Sequence, residues 1–211
     1  NSVPGNILFN EDDTMLKLTV MIDGISPYHS CTKELWPISA RFGKQFKLFV
    51  IAAVLTPKKP TNPNILLKDF VDELIKITSH GILVRGKLYE VKLEKILADC
   101  PAISFILKFH GHCAYESCVY YMIFGEYHNN RTCFPGGTAR KRLLSDFINQ
   151  SSFLFQLPFF NPLIHIPVDY MHLICLGIAK KLLKLWTESP KKILRKARIL
   201  DDDAKKKLMS V

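Results

Sequence analysis

Apolar and polar residues alternate from Leu16 to Asp23. Leu16, Leu18, Val20 and Ile22 fall on one face, and Lys17, Thr19, Met21 and Asp23 on the other. This predicts a strand with one buried face, ending in a carboxylate. Leu35 to Ala40 (LWPISA) predicts a second strand, with Pro37 marking an edge or a bulge. Phe46 to Leu55 is nearly continuous apolar sequence with β-branched residues in its middle. A helix could carry that run, but its length and flanks favour a strand buried on both faces. After the break TPKKPTNPN, Asn62 and Pro63 supply an N-cap and a first helical position. Leu67, Phe70, Val71, Leu74 and Ile75 then recur at three and four, which predicts an amphipathic helix that Gly81 ends. Residues 82–98 predict a hairpin about Arg85, Gly86 and Lys87, its second arm leading to Asp99, and AISFILKF after Pro101 predicts a short helix.

Strand, strand, strand, helix, strand, acid, helix is the order of a mixed α/β layer. Three consecutive strands can pair antiparallel ahead of the crossover helix. It is also the order in which ribonuclease-H-like nucleases, whose fold is a mixed sheet with flanking helices, present their first two acids. The second half is less regular. Residues 110–137 are dense in His, Cys, Tyr and Gly, residues 138–150 are basic and helical in pattern, and residues 151–168 are aromatic and contain proline. From His172 to Trp186 a helix is predicted, with Leu176, Ala179, Leu182, Leu183 and Trp186 on one side and Lys180, Lys181 and Lys184 on the other. The chain thus reads as a lead-in (1–13), a core (14–109), a Cys/His/aromatic-rich, partly helical insertion (110–171) and a basic helical segment (172–211).

Composition sharpens this. With 211 residues, 48% of them hydrophobic, the chain can form one substantial core and a subdomain. A formal charge of +10 favours a polyanionic partner, nucleic acid ahead of a membrane, with solubility as the plain alternative. From Gly177 onward there are eleven Lys and Arg against four Asp and Glu. Six scattered cysteines without a signal peptide indicate reduced thiols in a cytosolic or nuclear setting. No apolar run approaches the roughly 20 residues of a membrane helix, so an integral membrane protein is not expected.

Asp23 and Asp99, 76 positions apart (99 − 23), are candidates for a two-metal site, which needs carboxylates as hard oxygen ligands. The plain alternatives are a turn at Asp23-Gly24 and a strand end before Pro101. Arg140, Lys141, Arg142, Lys180, Lys181 and Lys184 are candidate phosphate contacts, each adding salt dependence, or else parts of solvated helix faces. No helix-turn-helix signature or paired-finger spacing marks a base-reading module.

Five stretches occur in order over most of residues 7–187: IDGISPYHSCTKELWPI, LLKDFVDELIKI, ILADCPAISFILKFHGH, GEYHNNRTCFP and VDYMHLICLGIAKKLLKLW. Together they resemble the transposases of CACTA-type (En/Spm-like) DNA transposons. The resemblance implies a ribonuclease-H-like DDE core with Asp23 and Asp99 as its first two acids and as ligands of Mg²⁺ (or Mn²⁺). It implies cleavage and transfer of DNA strands in the nucleus, transposon ends and target DNA as partners, and a homo-oligomer as a candidate assembly. Such transposases carry Cys-x-x-Cys before the Gly-Glu-Tyr stretch. Here Cys118 matches the first cysteine and Tyr121 stands at the second. His110, His112, Cys113, His128 and Cys133 are candidates to complete a zinc site of irregular spacing, the alternative being a site that has decayed around a buried Cys118. His172 matches the family's Met-His element, and Asp169 is equally a helix N-cap. The family's third acid is expected as a glutamate on a later helix. Glu188 follows too closely, and Asp201 to Asp203 lie in a charged tail. The chain is therefore expected to be inactive alone. The alternative function is that of a domesticated or decaying remnant, a non-catalytic nucleic-acid or protein interaction domain.

Overall fold

In the computed structural model, the alternation from Leu16 to Ile22 becomes strand β1 (Met15–Ile22), with Leu16, Leu18, Val20 and Ile22 all buried. The structure describes residues 14–28, 32–43, 47–58, 60–111, 113–128, 131–134, 138–147 and 150–187. The lead-in, His112, Glu188 and Asp201 to Asp203 lie outside them. The chain divides into two units: Asn1–Phe109 with Arg142–Pro167, and His110–Lys141 with Val168–Val211. Residues 110–171 are thus not one insertion, because the stretch from Arg142 to Pro167 belongs with the first unit.

That unit is a mixed α/β layer. Strands β2 (Glu34–Phe42) and β3 (Phe49–Thr56) follow β1, then helix α1 (Asn64–His80), β4 (Ile82–Val84), β5 (Lys87–Leu97) and helix α2 (Cys100–Ile106). The sheet order is β3-β2-β1-β5-β4. β1–β2 and β2–β3 are antiparallel, and β5 returns parallel to β1 after α1. β4 and β5 form the expected hairpin, with Arg85 (φ 50°) and Gly86 (φ 81°) both left-handed as a two-residue turn requires.

Trp36, Ile38 and Ala40 of β2, and Tyr89, Val91, Leu93 and Ile96 of β5, are buried with the inward residues of β1. Leu66, Leu67, Phe70, Val71 and Leu74 give α1 its buried side. Each such large apolar side chain contributes about 1.5–3 kcal/mol when fully buried. The N-cap of α1 is Pro63 rather than Asn62, whose side chain, one residue earlier, accepts from the Asn64 amide at 3.1 Å; Gly81 (φ 72°) ends the helix. The returning stretch adds two 3₁₀ turns (Leu144–Phe147, Phe153–Gln156) and α3 (Pro162–His165). It buries Phe147, Leu154, Leu157, Phe160 and Ile166. Asn64 fastens it, donating to Ser151 O at 2.8 Å and accepting from the Phe153 amide at 2.9 Å.

Two expectations change, and a third, the edge or bulge at Pro37, is narrowed to one of its alternatives. β3 is not buried on both faces: it is the sheet's margin, paired only with β2, and Phe49, Val50 and Leu55 stay exposed. Pro37 sits in the interior strand β2 beside a register shift at Ile38/Ser39, so a bulge rather than an edge accommodates it. Residues 138–150 are not an α-helix, since Arg140–Lys141 join a ribbon as β9 and only a 3₁₀ turn follows.

In the second unit, β6 (Tyr121–Met122) pairs antiparallel with β9 (Arg140–Lys141), and β7 (Glu126–His128) with β8 (Arg131–Cys133). The helix predicted from His172 takes wider π-helical turns over Tyr170–Ala179 and becomes α4 at Lys180–Thr187. Gly177 permits this: a Cβ there would lie 2.9 Å from the His172 carbonyl oxygen, the partner five residues back. Leu176, Leu182 and Leu183, expected on a packed side, are exposed.

Candidate active site

β1 and β5 run side by side in the same direction, about 4.8 Å apart as neighbouring strands do. Their register ends with Met21 paired to Leu97; carried two residues further, past the ends of both strands, the same offset would bring Asp23 opposite Asp99. Pairs opposite one another share a face of the sheet, so both acids belong to the face that carries the exposed Met21. A bulge produces this register. Leu18 pairs with Leu93 but Thr19 pairs with Lys95, leaving Glu94 as the extra residue. Without it the offset of 75 (93 − 18) would set Ala98, not Asp99, against Asp23. Buried Thr19 holds the bulge, its hydroxyl donating to Glu94 Oε2 at 3.2 Å.

Each carboxylate is half-buried and oriented by the backbone. Asp23 Oδ1 accepts from the Gly24 amide at 2.8 Å. Asp99 is the N-cap of α2, its Oδ1 accepting from the Ala102 amide at 2.7 Å, with proline at the start of the helix. The turn and strand-end readings of these residues are therefore correct as local structure, and each follows the end of one of two paired strands. Behind Asp23, buried Trp36 lies against Gly24, where a Cβ would come within 2.6 Å of its ring. Trp36 donates to Glu34 Oε2 at 3.0 Å and packs on Phe105 of α2 with centroids 4.7 Å apart. Trp36 and Glu94 are site-shaping residues that motif reading missed. The signal for Glu94 was available, because the β5 alternation breaks at the consecutive polar pair Glu94-Lys95.

The donor set fits a hard divalent cation such as Mg²⁺ or Mn²⁺: two carboxylates following neighbouring strands, each oriented by a backbone amide. Among the described residues no group of three or more His, Cys, Asp or Glu is gathered as a metal site. His112, a candidate zinc ligand, lies outside them. Cys118 Sγ instead accepts from the Tyr121 amide at 3.4 Å, and His110 Nδ1 lies 3.3 Å from Glu116 O.

The remaining candidates separate. Arg140 and Lys141 are exposed on β9, and Lys180, Lys181 and Lys184 are exposed on one side of α4. Arg142 is buried in the first unit, its guanidinium 5.0 Å from the Phe109 ring, so it faces no external phosphate. In the second unit Asp169 N-caps the π-helical segment, accepting from the Met171 and His172 amides at 2.9 and 3.2 Å, and meets His172 Nδ1. Partial burial raises the Asp169 pKa, but the hydrogen bonds from the His172 side chain and from the two amides outweigh it and hold the carboxyl below its ordinary value. No helix among the described residues is long and apolar enough to cross a membrane. The chain matches no protein-family model, no curated protein and no solved structure.

Proposed function

We propose that the first unit is the core of a DNA-cleaving and strand-transferring enzyme of the ribonuclease-H-like DDE type, related to the CACTA-type transposases and working in the nucleus. The observation that carries the reading is the parallel β1–β5 register, whose continuation past both strands would bring Asp23 opposite Asp99. The strand order supports it too: three antiparallel strands, a crossover helix, then a strand returning parallel beside the first. Asp23 and Asp99 would hold Mg²⁺ or Mn²⁺, which when bound polarises a phosphodiester and activates an attacking hydroxyl. The Gly24 and Ala102 amides keep the two carboxylates oriented. Trp36 and Phe105 support the strand end on which Asp23 sits. Exposed cations on β9 and α4 suit DNA phosphates.

Metal binding tests this directly. Asp99→Asn keeps the helix cap and removes the charge, and Asp23→Asn is its counterpart on β1. Titration calorimetry with Mn²⁺ should register binding to the parent chain and a loss of about tenfold or more in each variant. Absence of Mn²⁺ binding, or binding by both variants as tight as the parent's, overturns the assignment. It would favour the second reading, a non-catalytic nucleic-acid or protein interaction domain, which the exposed cations of β9 and α4 would equally suit.

A further inference from the structure

The second unit has a ring-bearing surface that the carboxylate pair does not involve. In the β7–β8 ribbon, Tyr127 pairs with Thr132, and one step beyond the Glu126–Cys133 pair Gly125 comes level with Phe134. Tyr127 and Phe134 therefore lie on the same face, diagonally across the ribbon. Tyr127 is 63% exposed and Phe134 40%. Gly125 makes room for the second ring: a Cβ there would stand 3.1 Å from Phe134 Cε1 and closer still to the Thr132 methyl. Diagonal neighbours on a ribbon stand about 7–8 Å apart. The β6–β9 ribbon repeats the composition, with exposed Tyr121 directly opposite exposed Lys141.

We infer that these aromatic and basic ribbons bind single-stranded DNA, unpaired bases stacking on the exposed rings of Tyr127 and Phe134 while Lys141 meets the backbone. Ring faces need unpaired bases, since those of a duplex are already stacked on one another. The cations answer the polyanion in a chain of formal charge +10. The choice of DNA over RNA rests on the function proposed above; the stacking geometry does not.

The test is fluorescence anisotropy with a labelled thymidine oligomer of about 16 nucleotides in EDTA, so that failure of the metal reading cannot alter the result. Tyr127→Leu and Phe134→Leu should each weaken binding about tenfold with unchanged circular dichroism, and Tyr127→Phe should bind like the parent. Lys141→Gln should lower the salt slope by about 0.7, which Tyr127→Leu leaves unchanged. Equal affinity for the oligomer and its duplex, parental binding by the leucine variants, or preference for the uridine oligomer overturns the proposal.

Discussion

The two units use the same residue classes in opposite ways. In the first, apolar residues of β1, β2, β5 and α1 and of the returning stretch face one another, and Val20, Ile22, Ile38, Leu67, Val71, Ile96 and Ile106 have no exposed surface. In the second, Val119 is the lone buried hydrophobic residue among those described, while Tyr127, Tyr170, Leu176 and Leu183 are mostly exposed. Pairing differs as well: β5 is eleven residues long, while each strand of the second unit's ribbons has two or three. The difference teaches where the free energy resides. Folding stability comes from the sheet and α1, and what the second unit displays is available for contact with something else.

The largest expected effect tests that contrast. Leu93→Ala on β5, where Leu93 is 1% exposed, should cost about 2–5 kcal/mol in urea denaturation. The same truncation at Leu176, 54% exposed, should change stability by no more than about 0.5 kcal/mol. Comparable losses at the two positions would erase the distinction. Next comes Gly24→Ala, whose new methyl must displace the Trp36 ring. It should cost about 1–3 kcal/mol and alter the near-ultraviolet circular dichroism. A silent substitution would mean the ring is not seated against Gly24.

Much of the first unit is written in local pattern. The alternation in β1, the spacing of Leu67, Phe70, Val71 and Leu74, and the turn at Arg85-Gly86 all survive into the fold because local preference and burial agree there. What escaped depends on tertiary neighbours. β3 has the composition of a central strand, but its place in the sheet order decides its exposure. Arg142 reads as a surface cation beside Arg140 and Lys141, yet it lies over the Phe109 ring, where a planar guanidinium can stack. Asp23 and Asp99 were legible as strand-end acids. Their common level was not, because it depends on pairing across 76 residues.

The smallest expected effect belongs to the second unit. A carboxyl held below its ordinary value stabilises the folded state fully above that value, near 3.8, and the contribution is lost as pH falls through the lowered one. Asp169 should thus add a pH-dependent increment of within about 0.5 kcal/mol, confined to acid solution, since the group is near the surface. Asp169→Asn keeps the cap and should flatten that part of the stability profile. An unchanged profile would show that the pairing with His172 does not stabilise the fold.

The extra residue at Glu94 makes the acidic pair depend on chain length as much as on composition. Loss of that single codon would keep both aspartates and nearly every core side chain, yet confront Asp23 with a methyl group. Relatives of this chain should therefore be compared by the count of residues between strand ends before any inventory of acids is drawn up.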